Sequence, residues 1–105
     1  MYLGVQDVGM NLTAAGTTQT DAQLLIGGIN HLGTVASGAG VRLNVCPVGV
    51  SQMVYNGGAN AVLVYPPSGY NINQLSANSS ISLPINTNCV FWTLNTTQII
   101  ALLSA

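Results

Sequence analysis

Six side chains of this sequence could do acid–base, nucleophilic or metal chemistry: Asp7, Asp21, His31, Arg42, Cys46 and Cys89. A reaction needs such groups to converge. His31 lies in the apolar stretch Ile29-Asn-His-Leu-Gly-Thr-Val-Ala36 with no acidic neighbour in sequence, so a structural or interface histidine is the preferred reading. Cys46 is followed by Pro47, a spacing that serves neither metal binding nor thiol redox work. His31, Cys46 and Cys89 could meet as a three-ligand zinc set, but no recurring ligand spacing links them. Pairing Asp7 with Asp21 would need two separated positions of one irregular segment to meet. Asn56-Gly57-Gly58 and Ser37-Gly-Ala-Gly40 are glycine-rich but lack the following helix and Lys of a phosphate loop. The chain is therefore expected to be no enzyme, with no catalytic residue, metal or cofactor. Tyr55, Tyr65, Tyr70 and Trp92, amid many Asn, could stack on sugars; packing across a sheet or interface is the preferred alternative.

The composition bears on how such residues are positioned. The chain has 105 residues and a formal net charge of −1, and only 3% of it is charged. Globular domains typically carry about 25% charged residues. The absence of Lys and Glu leaves no basic patch to neutralise phosphates, so nucleic acid is not an expected partner. No polybasic signal and no apolar run of about 20 residues points to a membrane. Low net charge favours association, so copies of the chain, or a partner, are expected to cover much of the surface. Met1–Asp7 lacks the basic and apolar regions of a signal peptide, giving an expectation of cytoplasmic synthesis without secretion. Cys46 and Cys89 are then expected as reduced thiols, with a disulfide left open.

Turn signals recur about every 8 to 12 residues, and no 3.6-residue apolar stripe persists, which predicts an all-β fold. The expected architecture is a small antiparallel β-sandwich or barrel, jelly-roll-like, of seven to nine short strands. Residues 1–20 read as an extended N-terminal arm and 21–105 as a single β-sandwich domain. Val41, Leu43 and Val45 alternate inward. Gln52–Tyr55 and Ala61–Tyr65 flank Asn56-Gly-Gly-Ala-Asn60 and predict a β-hairpin, with Gly and Asn supplying positive φ. Antiparallel pairing is expected throughout, because parallel strands need crossovers of roughly a dozen residues. Phe91 and Trp92 are adjacent in Cys89–Leu94 and must face opposite ways.

One run carries a resemblance: Val54-Tyr-Asn-Gly-Gly-Ala-Asn-Ala-Val-Leu-Val-Tyr-Pro-Pro-Ser-Gly-Tyr-Asn-Ile-Asn73, then Leu75-Ser-Ala-Asn78, Ile81-Ser-Leu-Pro84, Val90-Phe-Trp92 and Thr97-Gln-Ile-Ile100. It resembles a module of small all-β virion structural proteins of tailed bacteriophages, in which Gln98-Ile99 stands where Gln-Trp is frequent. The resemblance covers about Val41 to the C-terminus. It implies a capsid decoration or cement protein that bridges capsomers as a homo-oligomer, with the major capsid protein and itself as partners. A trimer is the first expectation and a dimer the second. The location would be the outer surface of the virion capsid. The alternative is a head-fibre or tail-appendage module binding host-surface glycans. The expected interface residues are Tyr2, Leu3 and Val5 in the arm and Tyr65, Tyr70 and Trp92 in the domain.

Overall fold

The computed structural model describes residues 8–103. Tyr2, Leu3, Val5 and Asp7 lie outside the described residues. The fold is all-β, with ten short strands in two sheets and no helix among the described residues. The strands are β1 (Val8–Thr13), β2 (Gln23–Leu24), β3 (Ile29–Thr34), β4 (Gly40–Arg42), β5 (Ser51–Asn56), β6 (Val62–Tyr65), β7 (Asn71–Ile72), β8 (Ile81–Leu83), β9 (Asn88–Thr93) and β10 (Gln98–Leu103). A six-stranded sheet has the order β1-β3-β5-β9-β10-β7, and a four-stranded sheet the order β2-β4-β6-β8.

From β1 to β9 successive strands alternate between the two sheets. The chain therefore coils, and strands two apart in sequence stack in parallel: β1 on β3 on β5, and β2 on β4 on β6. This solenoid-like stacking replaces the expected all-antiparallel pairing. The crossover requirement is met, because residues 14–28 and 35–50 separate the parallel pairs of the larger sheet. Each crossover contains a strand of the opposite sheet, so no helix is needed. The coil then folds back. Strands β8 and β9 pair antiparallel with β6 and β5, and β10 makes a hairpin with β9 while lying parallel to β7.

The expected hairpin between Gln52–Tyr55 and Ala61–Tyr65 does not form. β5 pairs with β3 and β9, and β6 pairs with β4 and β8. Residues 57–61 form an arc that carries the chain from one sheet to the other. Neither Gly57 nor Gly58 has positive φ; among the described residues the positive-φ glycines are Gly16, Gly38, Gly49 and Gly69. Close stacking explains both glycines instead. A Cβ at Gly58 would lie 2.8 Å from the backbone nitrogen of Val35, and one at Gly57 would lie 3.1 Å from the Leu32 carbonyl oxygen. The arc thus rests on the corresponding corner of the coil before it.

The core lies between the sheets. Leu32, Val54, Cys89, Phe91, Ile72 and Ile99 from the larger sheet meet Val41, Val62, Val64 and Leu83 from the smaller. Strands β5 and β9 alternate strictly between buried and half-buried residues, as one-sided burial of a pleated sheet demands. Two sequence expectations change here. Val8–Thr13, assigned to the arm, is the edge strand of the larger sheet, with a bulge at Asn11. Val45, expected inward, is 70% exposed. β4 ends at Arg42; the Leu43 N–H still donates to the Tyr65 carbonyl, but the backbone of Asn44 pairs with a side chain: Gln52 Oε1 accepts from the Asn44 N–H, and Gln52 Nε2 donates to the Asn44 carbonyl.

Candidate interaction surface

Three amides hold the coil's corners from inside. Asn30 Oδ1 accepts from the N–H groups of Ile26 and Gly27, and its Nδ2 donates to the carbonyls of Gly27 and Met53. Asn56 Nδ2 donates to the carbonyls of Asn60 and Leu83, at 2.9 and 3.0 Å, and its Oδ1 accepts from Gly58 N–H. Asn60 Nδ2 donates to the Val35 carbonyl of the neighbouring corner. Buried amide groups are costly unless paired. Among the described residues no buried side-chain nitrogen or oxygen lacks a partner.

The groups weighed for chemistry are dispersed. His31 stands on the outer face of the larger sheet, stacked on Tyr55 with ring centroids 5.6 Å apart. Its Nδ1 accepts from the Asn11 N–H at 3.2 Å. Cys89 is on the inner face of the same sheet, and burial pushes its thiol up to about 11, while the Leu102 N–H acts in the opposite direction. Cys46 sits in the β4–β5 connection, half-buried and also pushed up by burial. Both thiols are free. Asp21 is exposed in the β1–β2 connection. The Thr18 N–H and then the Thr18 hydroxyl hold its carboxyl below the usual range. No three His, Cys, Asp or Glu side chains gather among the described residues.

The aromatic residues expected at an interface occupy separate places. Trp92 points out of the larger sheet, half-buried, while its neighbour Phe91 is in the core. Tyr65 points out of the smaller sheet, where its ring lies over Gly40 and its hydroxyl donates to the Thr17 carbonyl. Tyr70 is half-buried against the core near β7. Trp92 and Tyr65 therefore lie on opposite sides of the molecule, and these residues do not form one surface.

A different surface stands out. On the outer face of the larger sheet, Val8, Ile29, Met53, Val90 and Leu102 are successive cross-strand partners, an uninterrupted apolar row over five strands. Ser51, Trp92 and Ile100 form the adjacent row. Val8 is 52% exposed and Leu102 61%. Beyond Ser51 the face runs into an open cleft of about 300 Å³ lined by Ile26, Val50 and Cys46 among others. Among the described residues no formally charged side chain stands on this face. Arg42 belongs to the smaller sheet, and its Nη1 donates to the Gln19 carbonyl.

Of the residues in these two rows, only Trp92 is singled out by sequence patterning. The available signal was a strand apolar at both parities, visible in Cys89–Thr93 and in Ile99–Leu103. Pattern alone could not say which rows align, because register across strands far apart in sequence is a tertiary property. No family model, curated protein or solved structure matches the chain.

Proposed function

We propose that this chain is a structural subunit of a tailed-phage virion, a decoration or cement protein that coats the head as a homo-oligomer and contacts the major capsid protein. The observation that carries this reading is the uncharged apolar row Val8–Ile29–Met53–Val90–Leu102 on an outer sheet face. Exposed contiguous apolar surface of this kind marks association sites. The phage-like run of residues 54–100 and the near absence of charge support the same reading.

The mechanism follows from burial. Each contact removes apolar surface from water at about 25 cal/mol per Å². Many such contacts repeated over a lattice add up through avidity. The closely packed corners, with their paired amides, supply a stiff subunit that transmits load between neighbours. The opposite placement of Trp92 and Tyr65 favours this reading over a glycan-binding appendage, which would gather its aromatic residues on one exposed surface. Cryo-electron microscopy of the particle that carries the protein is the test. Density at regular positions on the outer head lattice is expected. Density at the tail tip alone would overturn the cement reading.

A further inference from the structure

We propose that the occupant of the apolar face of the larger sheet is a second copy of this chain, packed face to face about a two-fold axis. The inference deepens the structural-subunit reading and rests on its self-association. Three observations carry it.

The first is charge. Among the described residues the face presents no Lys, Arg, Asp or Glu, and the two formally charged residues described, Asp21 and Arg42, lie in the β1–β2 connection and the smaller sheet. A surface without charge meets its own copy without repulsion. Pairing with a charged partner would instead leave that partner's charges desolvated and unmatched.

The second is symmetry. Met53 is the middle residue of the five-residue row. A two-fold axis passing over it along the strands sets Met53 against Met53. It also sets Val8 of each copy against Leu102 of the other, as an isologous interface requires. Apolar residues meet apolar residues along the whole row.

The third is area. Five strands about 4.8 Å apart, each rising about 3.3 Å per residue, make a face of about 400 Å² in projection. Two such faces cover about 800 Å², and side-chain relief enlarges the accessible area toward the ~1,200 Å² of the smaller specific interfaces. The dimer therefore dissociates on dilution, and sheet-on-sheet packing at about 10 Å with nearly aligned strands is its geometry.

Sedimentation equilibrium of the full chain over a concentration series tests this. A reversible dimer is expected, with Met53→Lys and Leu102→Lys each weakening it at least about tenfold and Leu63→Lys on the smaller sheet leaving it unchanged. Circular dichroism melting, unshifted in the outward-facing variants, separates lost association from lost folding. In a Cys46→Ser background, Met53→Cys should be captured as a covalent dimer by a short bis-maleimide cross-linker, which spans the roughly 10 Å between facing sheets, and Arg42→Cys should not. A strict monomer at millimolar concentration would overturn the proposal, as would a dimer that survives both lysine variants of the larger sheet. A monomer in solution that still decorates the head as single copies would overturn the dimer and leave the virion reading standing.

Discussion

Asn56 and Gly58 show how single residues hold the corner between β5 and β6. Replacing Asn56 by Leu would leave the Asn60 and Leu83 carbonyls and the Gly58 N–H without their partner. Each buried polar group left unpaired costs about 1–3 kcal/mol, so urea unfolding should report a loss of roughly 3 kcal/mol or more. Gly58→Ala should cost about 1–3 kcal/mol by overpacking against Val35. Phe91→Ala should cost about 3–5 kcal/mol as a core cavity. Trp92→Ala, one position along, should change unfolding far less and association far more. Two groups give the stability a pH dependence. The unfolded Cys89 thiol ionises near 9.0, but the folded one only near 11. Stability from this group is complete below pH 9.0 and falls as the pH rises toward 11. Asp21 works in the other direction. Its folded carboxyl lies below its ordinary 3.8, so its contribution is present above that value and is lost as acid protonates it. Thermal melts of the protein and of Asp21→Asn and Cys89→Ala across pH should show the acid limb disappearing in the first variant and the alkaline limb in the second.

At the level of elements, two kinds of connection behave differently. Residues 57–61 form an arc seated on the neighbouring corner through Gly57, Gly58 and the Asn60–Val35 hydrogen bond. Asn95–Thr97 joins β9 to β10 as an exposed hairpin turn, with Asn95 Oδ1 accepting from the Thr97 and Gln98 N–H groups. Loop closure itself costs only about 0.6 kcal/mol per doubling of length. A two-residue Gly-Ser insertion after Thr96 should therefore cost about 1 kcal/mol or less by denaturant titration. The same insertion after Gly58 should cost several times more, because it lifts the arc off its seat. Equal effects would mean that the arc is not seated. In β9 and β10 two apolar runs flank a short Asn-Thr-Thr turn, a signal visible in sequence, and the two strands pair as a hairpin. The stretch 51–65 carries a similar signal, yet its runs part into different sheets. Local pattern could not separate the two cases. In one, the turn residues satisfy the adjacent strands; in the other, Asn56 and Asn60 reach Leu83 and Val35, distant in sequence.

For the whole molecule, scarcity of charge decides how the proposed association would respond to salt. Contacts made through Val8, Met53 and Leu102 would depend on water and hardly on ionic screening. Self-association measured by light scattering should hold or strengthen from about 0.05 M to about 1 M NaCl, whereas an ion-paired interface would weaken. Any site built from charged groups would require more than the described Asp21 and Arg42, which do not meet.

The sequence by itself determined that the chain is all-β, that strands are short, that Phe91 and Trp92 part to opposite faces, and that the chain carries almost no charge. These follow from period-two patterning, turn residues and composition, which are local or summed properties. Only the tertiary structure decided that the strands coil in parallel between two sheets, that Gly57 and Gly58 serve close stacking instead of positive φ, and that five apolar residues from five strands align in one row. Each of these depends on register between segments far apart in the chain. That register is set by core packing between the sheets and by buried amides at the corners, and no local pattern encodes it.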